Sequence, residues 1–448
     1  MMPFISNTDK ERKEMLTAIG VEKFEDLLTN IPGKFLLQKD CCLNDAYSEL
    51  EITRKISKLA AKNISSTQAN AFLGGGIYDH FIPAAVDHVI LKPEFHSAYT
   101  PYQAEVSQGT LQYIYEYQTM ICDLTGMEIS NAGMYDGASA AAEAILMATR
   151  KTKKFKAILA GTINPLYLEV IKTYTAGVEI ELVVIPAKDG LVDLDILKKA
   201  VDDETGCVLL QTPNFFGNIE NAFAVEEITH AAKKALYIVA VDPISLAVMN
   251  APSEYKADIV VGEGQALGNA QNFGGPLFGF LATNLKLSRS IPGRIVGATL
   301  DVDGKRSYAL TLQAREQHIR RAKATSNICS NQALCNLAAT VYMTLMGKEG
   351  LKEAAVQSTT KAHYLAEKIT ELDKFEMAFT APFFKEFAIK IPIPAKDIIM
   401  KLQTKNIFPG IDLKAFGHEK MLLIAVTEKK RKCDLDELVK SLQEVTNG

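Results

Sequence analysis

Tryptophan is absent from the 448 residues, and aromatic residues make up only 8% of the chain. Charge of neither sign dominates: 49 Lys and Arg stand against 53 Asp and Glu, a formal net charge of −4. Nucleic-acid binding draws on a basic excess, so composition gives that class no support. No apolar run reaches the roughly 20 residues of a membrane span. The longest, Ala235 to Ala251, is broken by Asp242 and Pro243 and reads as a strand and a turn. The opening MMPFISNTDKERKEM is charged early and has no apolar signal core, so the expected location is the cytoplasm. The seven cysteines form no CxxC and no Cys/His pair at zinc spacing; they read as reduced thiols, and no metal is expected. HExxH and GxxxxGK[ST] are both missing, which removes the metalloprotease and P-loop classes.

One further absence is local. The stretch GEGQALGNAQNFGGPLFGF, Gly262 to Phe280, follows the apolar run Asp258 to Val261 and holds Gln265 and Asn269 but no lysine. Its surroundings alternate between strand and helix patterns. Strands are expected at Ala157–Leu159, Val178–Ile185, Cys207–Leu210, Tyr237–Val241 and Asp258–Val261. Helices are expected at Gly137–Arg150, Pro165–Ala176, Asp193–Asp202 and Ala224–Leu236. Such alternation implies an α/β fold with a mainly parallel sheet, whose sites lie at the carboxyl ends of strands. Before it, residues 1–65 read as a helical arm, with capping boxes at Thr8/Glu11 and Ser48/Glu51 and a stop at Pro32 for a segment running from Val21. Leu73 to Pro101 is loop-rich, and Ala104–Thr125 reads as a helix closed by Gly126. Long helices are expected past Thr311. Residues 66–330 are thus expected to form a large domain, and residues 331–448 a linking helix and a small C-terminal α/β domain.

Three strand ends carry chemistry. In MYDGASAAAEA, Gly137, Ala138 and Ser139 open a helix whose N–H groups suit a phosphate, or whose small residues simply permit close helix–sheet packing. In IVAVDPISL, Asp242 ends a strand, where a carboxylate can keep a pyridinium nitrogen protonated, or merely start a turn before Pro243. The order Ser139, Asp242, Gln265 resembles the type I fold of pyridoxal phosphate (PLP) enzymes, the aspartate aminotransferase superfamily, with the Schiff-base lysine missing. Lys256 precedes its strand and lies at the wrong sheet edge; Lys286 comes too late. No other lysine is expected near the site. A dinucleotide reading of Gly262, Gly264 and Gly268 fails on spacing, being one residue too long.

Longer stretches carry a family resemblance. YTPYQAEVSQGTLQ (Tyr99 to Gln112), LLQTPNFFGNIE (Leu209 to Glu220), NFGGPLFGF (Asn272 to Phe280), RSIPGRIVG (Arg289 to Gly297) and REQHIRRAKATSNICSNQAL (Arg315 to Leu334) closely resemble the P-protein of the glycine cleavage system. The resemblance runs from Thr8 to the C-terminus. It implies the activity of a glycine dehydrogenase (decarboxylating), in which glycine loses CO2 on PLP and its aminomethyl group passes to the lipoyl arm of the H-protein. The chain looks like the separate first, or α, subunit. The resemblance then implies that PLP and its lysine belong to a homologous β subunit, subunit 2, in an α2β2 assembly, and that no cofactor is covalently held here. Gly137, Ser139, Asp242 and Gln265 become vestigial positions, with Gln265 standing where the lysine would be. Tyr99, Thr100, Tyr102 and Gln103 are the residues expected to complete the partner's site, or to pack the interface. His96 is a weaker candidate. Tyr113 and Tyr117 are expected to pack, and Arg294, Arg320 and Arg321 to form a solvated basic face or to meet the H-protein. Two rival readings stand beside this one: an independent type I enzyme with a displaced lysine, and a scaffold contributing no side chain to catalysis.

Overall fold

The computed structural model describes residues 7–37, 39, 41–272, 274–328 and 331–447. It divides into two compact units, one up to Asn63 and one from Ile64. In the first unit, helices Asp9–Ile19 and Glu49–Ala60 begin with the expected capping boxes. The Thr8 N–H donates to Glu11 Oε2 at 2.7 Å and the Ser48 N–H to Glu51 Oε2 at 2.9 Å. Between them the segment from Val21 is not a continuous helix; it forms short 3₁₀ turns at Phe24–Leu27 and Gly33–Phe35. Neither helix has a buried side chain.

The second unit is built on a seven-stranded sheet. Its order is Ile129–Ser130, Gly279–Thr283, Ile259–Glu263, Leu236–Val241, Thr205–Thr212, Lys156–Ala160 and Glu181–Ile185. The last five are mutually parallel, whereas Gly279–Thr283 runs antiparallel to both its neighbours. Helix Gly137–Thr152 lies against this sheet with every residue from Gly137 to Thr149 buried, which explains its alanine content: a larger side chain would hold the helix off the strands. A second sheet, of four antiparallel strands, orders Glu376–Met377, Glu386–Lys390, Met421–Ala425 and Ile411–Asp412. Helices Ala395–Gln403 and Lys432–Asn447 pack against each other beside it, around a core that includes Phe72, Phe387, Ile398, Leu402 and Leu438.

Several boundaries differ from expectation. The helix read as starting at Ala104 starts at Gln108, after a 3₁₀ turn, and ends as expected on left-handed Gly126 (φ +71°). The strand read from Val178 begins at Glu181, and the helix read as Ala224–Leu236 spans Ala222–Ala231 because Leu236 opens the next strand. A hairpin, Ile295–Leu300 paired with Arg306–Thr311, was not expected. Beyond it come short turns, and then helix Ala333–Thr370, broken at Gly347 (φ +55°, ψ −171°). Among the described residues, no helix is long and apolar enough to cross a membrane.

Candidate functional site

A cleft forms where the carboxyl ends of strands Leu236–Val241 and Ile259–Glu263 meet Tyr167 of helix Pro165–Thr175, the loop around Tyr78, and the chain entering strand Glu386–Lys390. Asp242 lies at its floor. Its Oδ1 accepts the Ile244 N–H at 2.9 Å, the turn role anticipated for an Asp-Pro step. Its Oδ2 is 2.6 Å from the ammonium of Lys385. The expectation that no other lysine approaches the site is therefore wrong. Lys385 directly precedes strand Glu386–Lys390 of the second sheet, is only 1% exposed, and ends inside the cleft.

A buried ammonium is tolerated only when paired and hydrogen-bonded, and Lys385 has three partners. Besides Asp242, it lies 2.9 Å from His80 Nε2 and 3.8 Å from the centre of the Tyr78 ring, a cation–π contact. His80 Nδ1 lies 2.6 Å from Glu428 Oε2. With Nε2 accepting from the ammonium, Nδ1 carries the proton and donates to Glu428. Burial and the Lys385 charge both push the His80 pKa down, which suits this neutral tautomer. The Glu428 carboxyl is held down at about 2: burial raises it, but the His80 hydrogen bond and the Phe81 N–H outweigh burial. The result is a chain of carboxylate, ammonium, imidazole and carboxylate joining the two sheets.

Glu386, next along, accepts the Gly75 N–H (2.7 Å) and the Tyr78 hydroxyl (2.8 Å). Burial raises its carboxyl to about 7, and it raises the Tyr78 phenol well above its usual range too. The backbone passes close here: a Cβ on Gly74 would lie 2.1 Å from Glu386 Oε1 and 2.6 Å from the Ala425 Cβ.

The helix start is equally occupied. The Gly137 N–H donates to Glu263 Oε2 at 3.0 Å, and Glu263 Oε1 accepts the Gln265 N–H at 3.1 Å. Burial raises the Glu263 carboxyl to about 8 against the opposing pull of these N–H groups. The Ser139 N–H is capped by Asp136 Oδ1 at 2.6 Å, and the Ser139 hydroxyl is 3.1 Å from the Asp136 carbonyl. Gln265 turns away from the cleft. Its amide clamps the Tyr78 backbone, accepting the N–H at 2.9 Å and donating to the carbonyl at 3.0 Å, and its second N–H reaches the Asn269 carbonyl at 2.7 Å.

The space left among these groups is about 30 Å³, enough for a water molecule or two and far below the several hundred Å³ of a small-molecule pocket. PLP does not fit here: the carboxylate for its ring nitrogen, the N–H groups for its phosphate, and the volume for its ring are already taken.

A sequence model of the glycine cleavage system P-protein family matches residues 2–442. The chain belongs to that family. It is 50% identical over 444 residues to the probable glycine dehydrogenase (decarboxylating) subunit 1 of Chloroherpeton thalassium, covering 99% of this chain and 100% of that protein. A crystal structure of the glycine cleavage system's glycine decarboxylase (P-protein), in inhibitor-bound form, superposes with a TM-score of 0.93 at 40% identity, covering 99% of this chain and 100% of that one. The glutamate decarboxylase of Lactobacillus brevis, at 12% identity and a TM-score of 0.69, shares the fold alone. That fold is type I of the PLP-dependent enzymes.

Within this P-protein family chain the other expected residues lie apart from the cleft lining. Tyr99 is 80% exposed and Tyr102 51% exposed; Gln103 is exposed and Thr100 half-buried. The Tyr102 hydroxyl accepts from Arg294 Nη2 at 3.1 Å, and its ring packs edge-on against His318. Arg294 is 3% exposed, so it is not part of a solvated basic face; it lies under Tyr102 with Glu316 at 3.8 Å. Arg320 and Arg321 are exposed. His96 is exposed and caps the Ile90 carbonyl at 2.7 Å. Tyr113 and Tyr117 are buried packing residues, edge-on to Phe95 and Phe278. Lys256 pairs with Glu226 at 3.2 Å and Lys286 is exposed, both outside the cleft lining. Six of the seven cysteines are free thiols, and Cys329 lies outside the described residues.

Proposed function

We propose that this chain is the α-type subunit of a glycine-decarboxylating P-protein, working in the cytoplasm with a homologous β subunit, in an α2β2 assembly, that binds PLP through a lysine. Glycine loses CO2 in the partner's site, and its aminomethyl group passes to the lipoyl arm of the H-protein. PLP supplies the electron sink; this chain supplies binding surface and water exclusion.

One observation carries the division of labour. Gln265, where the family resemblance would put the lysine, commits its amide to the Tyr78 backbone and the Asn269 carbonyl and offers no amine to the cleft. The loop Tyr99, Thr100, Tyr102 and Gln103 is the part offered to the partner's site. Its tyrosines are large, rigid and amphipathic, and Arg294 fixes the Tyr102 ring from beneath.

The test is release of labelled CO2 from carboxyl-labelled glycine, in the presence of H-protein. The chain alone should release none, the mixture of subunits should turn over, and turnover by the chain alone would overturn the reading. Within the mixture, Tyr99→Phe and Tyr102→Phe should each lower kcat about tenfold, the equivalent of one hydrogen bond of about 1.4 kcal/mol, with assembly unchanged by sedimentation. Unchanged kcat would favour the scaffold role.

A further inference from the structure

In the type I fold, three features of PLP need protein partners: a cationic ring nitrogen, a phosphate, and an aldehyde that takes a lysine. In this chain the first two partners already hold side chains of the chain itself. The Lys385 ammonium lies at hydrogen-bond distance from the strand-end Asp242, with its remaining donors directed at His80 and the Tyr78 ring. The Glu263 carboxyl holds the N–H of Gly137, the first residue of the long helix. Space is blocked as well as polarity. A Cβ on Gly137 would lie 2.1 Å from the Tyr167 hydroxyl, so the approach a phosphate would use is lined by a phenol.

We propose that the chain carries a built-in substitute for its cofactor. Lys385 stands at Asp242 in place of a ring nitrogen, and Glu263 stands at the helix start in place of a phosphate. Together they close the cleft and pin the second sheet to the first. Lys385 does not serve as the missing Schiff-base lysine. It sits at the nitrogen end of the site, whereas the aldehyde of PLP lies para to the ring nitrogen, across the ring. Its amine is also committed to a carboxylate, an imidazole and an aromatic face. The inference concerns this chain's own cleft and goes beyond the reaction proposed above.

The test uses the full-length chain and 4′-deoxypyridoxine 5′-phosphate, a PLP analogue that has no aldehyde and so ignores surface lysines. Titration calorimetry should detect no saturable binding to the natural chain. The double variant Lys385→Ala/Glu263→Ala should bind at least tenfold more tightly, and adding Asp242→Ala should remove that gain. Equal binding by the natural chain and the double variant overturns the proposal, and so does a folded double variant that fails to bind. Should that variant not fold, the natural chain decides alone. After treatment with PLP and borohydride, peptide mapping should find surface lysines tagged and Lys385 untagged, whether or not the second subunit is present; a tagged Lys385 overturns the proposal. Neither readout depends on glycine turnover, so failure here and failure of the proposed function are separable.

Discussion

Asp242 illustrates how a single carboxylate can be set by a neighbour from a distant part of the chain. It is 11% exposed, and its cation is Lys385. Replacing Lys385 with methionine keeps volume but leaves the carboxylate desolvated and unpaired, a change that costs about 3–5 kcal/mol. Urea unfolding should show that loss, and the double variant Lys385→Met/Asp242→Asn should recover a large part of it, because the orphaned charge is gone. Gly74→Ala should be destabilising by about 1–3 kcal/mol for a different reason: the added methyl meets Glu386 Oε1 and the Ala425 Cβ inside contact distance. At this scale the sequence showed half of the site. Asp242 and Gly137 were visible because each ends or opens a strongly patterned element. Lys385 and His80 were not, because they lie 305 residues apart and only the fold joins them. A signal existed nonetheless. FFKEFAIKI places Lys385 and Glu386 at the head of an apolar strand, and charges set in an apolar run of that kind require partners.

Elements were more legible than residues. The parallel strands and the alanine-rich helix declare themselves by local periodicity, and the capping boxes by spacing of three. The hairpin Ile295–Leu300 and Arg306–Thr311 was not expected, although Asp303-Gly304, an Asp-Gly turn signal, stands between its strands with Gly304 at φ +75°. Helix Ala333–Thr370 contains its own test. Gly347 breaks it in a backbone region open almost only to glycine, and nothing lies within 4 Å of where a Cβ would be. The cost of Gly347→Ala is thus conformational alone, about 1–3 kcal/mol. It should appear as a lower urea midpoint with an unchanged slope.

At the scale of the whole molecule, buried carboxyl groups tie stability to pH in opposite senses. Burial raises Glu263 to about 8 and Glu386 to about 7, from an ordinary 4.5. Each binds its proton more tightly folded than unfolded, so its stabilising contribution is full below pH 4.5 and is lost as pH rises through 7 to 8. Glu428, held at about 2, acts the other way: its contribution is present above 4.5 and lost as pH falls toward 2. Unfolding free energies at pH 5 and pH 8 should therefore differ less for Glu263→Gln than for the natural chain.

The clamp that Gln265 places on Tyr78 has a consequence for redesign. Introducing lysine at that one position would gain an amine but forfeit the clamp, and the newcomer would find an ammonium already seated opposite Asp242. Gln265→Lys alone should yield no absorbance from a protein-bound pyridoxal. An amine at that position would gain a pocket only if the contacts around Tyr78, Asp242 and Gly137 were changed with it.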